Sequence, residues 1–445
     1  MPDSIPTHSS RPRVLLLSHS VSPVRGSECT VGWHRAIASA RDFDTTVICP
    51  EEPYAAEIAA HGGETGVRWA FLGASPVERA LNRLPGGTWI AYAHWQRRAL
   101  ALARQLDAAE PFDLVHHVNW VSFREPGYGW RLGRPFVLGP VGGTQNMPAR
   151  FLLSGGPGMA LREGLRSVLN RLQLMAGWRL RRAARAAAPF LAANSTVDAD
   201  VRRWIGVAPV RLLETGTRAA GMPRRWADRA PGPLRLLWVG DCVNRKGAHL
   251  MSRAMQQLER ERPGAVTLRV LGEGRRRAEF ARLPGVTAPG LVPHPEMAAA
   301  YDAADALVFT SLRDTSGNVV LEAFGRGLPV ICLDHQGVRD IVTPEAGIKV
   351  PVTTPGEAVD GLVSAIRTVA ADAEAYDRMS AAAVARARHF GWDRSAEVMR
   401  RVYLAALGLG PPLDVPSGTD ALEMLDVPPR STPRRARQPA DAAPV

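Results

Sequence analysis

Asp314 and Glu322 stand eight residues apart around Gly317 in the stretch SLRDTSGNVVLEAFGRGLPVIC, 311–332. The apolar run ahead of it reads as a strand that delivers Asp314 into a loop, and Gly317 opens a helix that carries Glu322. The unpaired N–H groups of Gly317, Asn318 and Val319 at such a helix start can hold a diphosphate without dedicated cations. A carboxylate just ahead of the helix can accept hydrogen bonds from sugar hydroxyls, and one a turn inside it can grip the hydroxyls of a ribose. A second stretch, WVGDCVNRKGAHL (238–250), puts Arg245 and Lys246 in a loop between strand and helix, where cations would stabilise a departing diphosphate. Lys246 is one of two lysines, with Lys349, among 55 basic side chains, and its survival in so arginine-biased a chain favours a need for a compact ammonium.

The first half of the chain offers weaker candidates. Gly26, in the loop SPVRGSECTVGW (22–33), would let backbone approach a phosphate or a sugar, although a tight turn alone also explains it. FDLVHHVNW (112–120) puts His116 and His117 at a strand end facing a cleft, with His117 the preferred of the two; a core histidine is the competing reading. PFVLGPVGGTQNMP (135–148) is a strand and glycine loop compatible with an acceptor side, and its glycines lack the G-x-G-x-x-G order of a dinucleotide site. Asp198 and Asp200 form a D-x-D, but they follow an Asn194/Ser195 cap and read as surface charge favouring a helix dipole. No metal site is expected. Residues 161–188 read as one basic amphipathic helix, with Arg162, Arg166, Arg171, Arg179, Arg181, Arg182 and Arg185 interleaved with Leu165, Leu169, Leu172 and Trp178. Such a helix could rest on an anionic membrane and present a lipid-linked acceptor to the cleft; packing on the domain with a solvated arginine face fits it equally.

These loops need strands to carry them. RVLLLSHS (13–20), TTVICP (45–50), 112–118 and 135–143 alternate with helical stretches at about 29–41 and 91–109. In the second half LRLLWVG (234–240), VTLRVLG (266–272), ALVFTS (306–311) and LPVICL (328–333) alternate with helices near 247–261 and 317–326. The expected fold class is α/β, with two doubly wound parallel-sheet domains facing across a cleft and ligands beyond the carboxyl ends of the strands. The expected organisation is a disordered N-terminus at 1–11, an N-terminal domain at 12–225 and a linker at 226–233 within the Gly- and Pro-rich segment Gly221 to Pro233. A C-terminal domain follows at 234–390, then a helix at 391–408 and a disordered, proline-rich tail at 409–445.

The 445 residues, 46% hydrophobic and 22% charged, suit two or three globular domains and exclude collagen, coiled coil and wholesale disorder. The net charge of +12 permits a phosphate-bearing partner, but the arginines are dispersed and no nucleic-acid module is visible. No run approaches the length of a spanning helix and no signal cleavage site is evident, so the expected location is the cytoplasm, at the inner face of the plasma membrane if the arginine-rich helix docks there. Cys29, Cys49, Cys242 and Cys332 are too scattered for a zinc cluster or a disulfide framework.

The Asp314-x7-Glu322 spacing and the following EAFGRGLPVI resemble the E-x7-E motif of retaining GT-B glycosyltransferases, specifically glycosyltransferase family 4 (group 1). WVGDCVNRKGAHL resembles that family's "GRL...KG" segment, with Lys246 at the lysine position. Two departures stand out: Asp314 replaces the first glutamate, and Asp241 stands where the family has an arginine, so that Arg245 is inferred to supply the second cation. LGEGRRRAEF (271–280) and 288–309 are similar to the family's segments around the nucleotide base, which brings Gly272 and the backbone near Leu291 and Val292 to that base. The resemblance also implies that His117 contacts the donor sugar, and that the C-terminal helix crosses back onto the first domain. It implies a GT-B fold of two Rossmann-like domains and metal-independent transfer of a sugar, with retention, from a nucleotide-diphosphate donor. The acceptor is expected to be a saccharide or lipid-linked saccharide, as in polysaccharide or cell-envelope glycan synthesis, with no further cofactor. A nucleotide-sugar epimerase, a phosphorylase, or a non-catalytic nucleotide-sugar or glycan-binding protein are the alternatives.

Overall fold

The computed structural model describes residues 11–61, 65–218, 221–413, 415 and 419–425. The first domain runs β1 (Arg13–Ser18), α1 (Glu28–Asp42), β2 (Asp44–Pro50), α2 (Tyr54–Ala60), β3 (Val67–Leu72), α3 (Pro76–Asn82), α4 (Gly87–Ala109), β4 (Leu114–Asn119) and β5 (Phe136–Val141). It continues with α5 (Pro157–Ala176), α6 (Trp178–Ala186), β6 (Ala187–Ala192), α7 (Ser195–Trp204) and β7 (Val210–Arg211). The second comprises β8 (Leu234–Val239), α8 (Ala248–Glu261), β9 (Val266–Leu271), α9 (Arg277–Phe280), β10 (Val286–Gly290), α10 (His294–Ala303) and β11 (Ala306–Phe309). Then come α11 (Asn318–Phe324), β12 (Val330–Leu333), α12 (Gln336–Ile341), β13 (Gly347–Val350), α13 (Pro355–Ala371), α14 (Ala373–His389) and α15 (Trp392–Ala406).

The strands form two sheets, ordered β3-β2-β1-β4-β5-β6-β7 and β10-β9-β8-β11-β12-β13, with all neighbours parallel. Helices cover both faces, so β1, β4, β11 and β12 are unbroken buried runs rather than alternating ones. Chain direction across each sheet reverses at β1/β4 and at β8/β11. The crevices outside these switch points are where such sheets bind ligands, and they face each other here.

Several expectations need correction. Strands β3, β6 and β7 extend the first sheet beyond the four strands legible in the sequence. The arginine-rich segment 161–188 is two helices broken at Gly177 and ending in β6. The segment from Gly221 to Pro233 does run between the two sheets, as expected of a linker, and it is held against the second domain. The Arg224 guanidinium donates to the carbonyls of Tyr301, Ala304 and Arg326 at 3.0, 2.7 and 2.8 Å, and Trp226 N donates to Asp377 at 2.6 Å, fastening it to the second domain.

Helix α15 returns to the first domain, where Trp392 stacks on His34, Arg35 donates to Ser395 Oγ at 2.9 Å and the Tyr403 hydroxyl meets His116 Nδ1 at 2.6 Å. The expected disordered tail is partly ordered: Asp420 bridges to Arg211, and Ala421 and Leu422 are fully buried. The other residues expected to be disordered, 1–10, 414, 416–418 and 426–445, lie outside the described residues.

Candidate active site at the domain cleft

Lys246 is fixed through its backbone before its side chain is considered. Beyond β8 the chain forms a short turn at Asn244–Lys246. The carbonyl of Lys246 accepts from Thr310 Oγ1 at 2.9 Å, and that hydroxyl in turn accepts from Trp238 Nε1 at 2.9 Å. The loop after β11 meets it: Leu312 N donates to the Arg245 carbonyl at 2.9 Å, and Lys246 Nζ is hydrogen-bonded to Asp314 Oδ2. Asp314 is held from the far side as well. Its N–H donates to Gln336 Oε1 at 2.8 Å, while Gln336 Nε2 donates across the cleft to the Asn146 carbonyl at 2.7 Å. Gly317 caps α11 at φ 94°, a conformation that a side chain would strain.

Lys246, Asp314, Gly317, Asn318 and Val319 line one cavity of about 310 Å³ between the domains. Its opposite wall comes from the first domain and was missed in the sequence: Glu28 at the start of α1, Val121, and Glu214 with Thr215 beyond β7. Glu28 Oε1 accepts from Val121 N at 3.2 Å. Burial, with Glu214 adding to it, raises the Glu28 carboxyl from its ordinary 4.5 to about 7 against that hydrogen bond. Glu214 is buried and rises to about 7 for the same first reason, against a hydrogen bond from Ser316, with Asp314 adding repulsion. Near neutral pH the cavity thus holds two carboxyls poised between charge states.

The other expected residues are not brought to this cavity. His117 is 2% exposed inside β4, its ring turned toward Gly127 and Gln96, and burial lowers its pKa to about 4. His116 faces the other side of the sheet, bonded to Tyr403 and to the Gly139 carbonyl at 2.6 Å. Arg245 pairs with Asp241 at 2.6 Å and lines a neighbouring cavity. Glu322 lies one turn past Val319, exposed, accepting from the Tyr301 hydroxyl at 2.7 Å. Gly26 is exposed with open space around it, while its neighbours Ser27 and Glu28 reach the cavity. Gly272 packs against the Gly240 carbonyl, where a Cβ would come to 2.0 Å, so its glycine serves the backbone approach of two strand ends. Leu291 is 77% exposed. Asp198 is not surface charge either: it is 6% exposed and paired with Arg202 at 2.5 Å. Among the described residues no cluster of His, Cys, Asp or Glu could hold a metal ion, and no helix is long and apolar enough to cross a membrane.

Two parallel-sheet Rossmann-like domains with the returning helix α15 define a GT-B fold. Residues 233–372 match the family model described as Glycosyl transferases group 1. A glycogen synthase from Mycobacterium tuberculosis is 33% identical over 212 residues, 45% of this chain and 50% of that protein. The chain therefore spans about half the length of that relative. A D-inositol 3-phosphate glycosyltransferase from Arthrobacter sp. is 28% identical over 324 residues, 68% of this chain and 73% of its own. Among solved structures, sucrose-phosphate synthase from Thermosynechococcus elongatus superposes with a TM-score of 0.61 at 19% identity, covering 88% of this chain and 98% of that one. Anabaena HepE in complex with UDP and glucose gives 0.57 at 16% identity, covering 88% and 99%.

Proposed function

We propose that the protein is a glycosyltransferase that moves a sugar from a nucleotide-diphosphate donor to a saccharide or lipid-linked saccharide. The observation that carries this is the gathering of Lys246, Asp314 and the Gly317–Val319 helix start on one cavity at the facing switch points. Lys246 meets the diphosphate as it gains charge, and the N–H groups at Gly317–Val319 take its remaining oxygens. Asp314 exchanges Lys246 for a hydroxyl of the donor sugar. The acceptor oxygen bonds to the anomeric carbon, the bond from that carbon to the diphosphate oxygen breaks, and the hydroxyl proton leaves on the diphosphate. The resemblance to family 4 supports retention of configuration and charge neutralisation by the chain's own groups rather than a divalent cation.

The test is thermal shift against UDP, GDP and ADP and their sugars, with Lys246→Ala as control. Ligand at 100 times its Kd should add about 2.7 kcal/mol to the native protein. No stabilisation by any of them would sink the donor assignment. Anomer-resolved product analysis with the stabilising donor then separates transfer with retention from epimerisation and phosphorolysis.

We also infer peripheral residence on an anionic membrane. Helix α5 turns Glu163 and Asn170 inward and leaves Leu161, Leu165, Val168, Leu169, Leu172 and Met175 between 47% and 75% exposed. An apolar stripe on the outside, flanked by exposed Arg162 and Arg171, suits a headgroup boundary. Failure to float with anionic vesicles at low salt would remove this inference.

A further inference from the structure

Next to the cleft lies a larger cavity, about 800 Å³, between the first turn of α4 and the α5–α6 break. Its walls include Trp89, Phe123, Trp178, Arg124, Arg166 and Arg313. The arginines are unevenly matched. Arg313 pairs with the buried carboxylate of Glu163 at 3.1 Å. Among the described residues the Arg124 side chain donates to neutral partners, Gln173 Oε1 at 2.8 Å and Asn170 Oδ1, and Arg166 donates to the Gln145 carbonyl at 3.1 Å. Neither has a carboxylate in ion-pair contact among the described residues. Burial together with the neighbouring Arg313 lowers the pKa of both, that of Arg166 to about 10, so each guanidinium is held at a cost that an incoming anion would relieve.

The mouth of the cavity is apolar. Trp89 and Trp178 are 43% and 54% exposed, and the outward stripe of α5 runs up to Trp178. On its inner side Arg166 and Arg313 also line the second cavity, about 530 Å³, which reaches Arg245, the residue before Lys246. A molecule with an anionic centre, an apolar tail and a sugar could therefore lie with the anion at the arginines, the tail outward and the sugar pointing toward the donor.

We propose that this cavity is the acceptor site for a lipid phosphate or diphosphate that carries the saccharide, with Arg124 and Arg166 on the phosphate oxygens and Trp89 and Trp178 against the first units of the lipid. The assignment rests on the glycosyl-transfer reading above and names the acceptor class for it.

The experiment is a titration of the full chain with farnesyl diphosphate and, separately, inorganic pyrophosphate, followed by tryptophan fluorescence. The wild type should bind farnesyl diphosphate at least tenfold more tightly than pyrophosphate. Arg124→Gln/Arg166→Gln should weaken both at least tenfold, and Trp178→Ala, at an exposed position, should weaken only the farnesyl compound. The nucleotide thermal shift should persist in all these variants, which reports that they fold. Lys246→Ala should lose the nucleotide shift yet bind farnesyl diphosphate as the wild type does, so the donor reading and this one fail separately. Equal affinity for the two probes would overturn the lipid assignment in favour of a soluble phosphorylated acceptor. Binding indifferent to the arginine changes, or no saturable binding while the nucleotide shift persists, would overturn the site.

Discussion

The two cavities at the cleft handle charge in opposite ways. Around Lys246 three carboxyls, Asp314, Glu28 and Glu214, face one lysine among the described lining residues. Around Trp178 the arginines outnumber the carboxylates, and the acids nearby are already engaged by Arg179 and Arg313. A carboxyl-rich pocket can receive a diphosphate only if its acids are neutral or occupied, which burial of Glu28 and Glu214 and the Lys246–Asp314 pair both serve. An arginine-rich pocket needs no such preparation. The first should therefore be sensitive to pH and to a single lysine, the second to salt and to paired arginine changes.

The largest effect should come from Lys246→Ala, which removes that cation from a carboxyl-lined space. A charge-assisted hydrogen bond is worth about 1.5 to 3 kcal/mol, so nucleotide affinity should fall roughly 10- to 100-fold by calorimetry. Asp314→Asn should separate the two halves of the site, leaving nucleotide affinity within a few fold and lowering turnover. An equal loss of both would mean that Asp314 serves only to hold Lys246.

The next effect is on pH. Ionisation of Glu28 and Glu214 near 7 adds negative charge beside the place proposed for the diphosphate. Affinity for the sugar nucleotide should thus be several-fold weaker at pH 8 than at pH 6, and Glu28→Gln/Glu214→Gln should flatten that profile. Stability gives an independent reading. Both carboxyls are raised from 4.5 to about 7, so the fold holds protons that the unfolded chain has released between these values. Their contribution is favourable below that window and is lost as pH rises through it. Buried His116 and His117, lowered to about 3 and 4, act in the opposite sense below pH 6.5. The difference in denaturation midpoint between the wild type and the double variant isolates the carboxyls.

The C-terminal wall was largely legible because Lys246, Asp314 and Gly317 each sit within a few residues of a strand end, and short loops leave little freedom in where they point. The opposite wall draws Glu28, Val121 and Glu214 from three loops nearly two hundred residues apart in sequence, and only the sheet order brings them together. No spacing links them, although Glu28 lies in the glycine loop already singled out. Helix α5 shows a different limit. Its amphipathic pattern is plain in the sequence, but the pattern does not say which side faces inward, and here the buried side mixes Glu163 and Asn170 with Met159 and Leu174 while most of the leucines stay outside. The Asp241–Arg245 pair is a third case, since four residues on a short turn suffice to point an arginine away from its neighbouring lysine. Arg245→Ala should accordingly change nucleotide affinity less than about threefold, within the range of a partly exposed ion pair.

His117 should matter least to turnover. Side chains on a strand alternate between faces, so in β4 His116 and His117 must point to opposite sides of the sheet, and helices cover both. The strand also runs on to Asn119, two residues beyond His117, which moves the mouth of the crevice away from the histidines. Asn119 occupies that mouth, accepting from Ser20 N at 3.1 Å and donating to the carbonyls of Ser20 and Glu28 at 2.7 and 3.2 Å, and so shapes the loop that presents Glu28. Among the described residues neither ring nitrogen of His117 has a hydrogen-bond partner, and the buried ring contributes volume to the core. His117→Leu should keep kcat and the donor KM within about threefold while changing the thermal midpoint. Asn119→Ala should lower activity more than His117→Leu does, because it frees the first loop and removes buried hydrogen bonds. The reverse order of activities would return the histidine to the site.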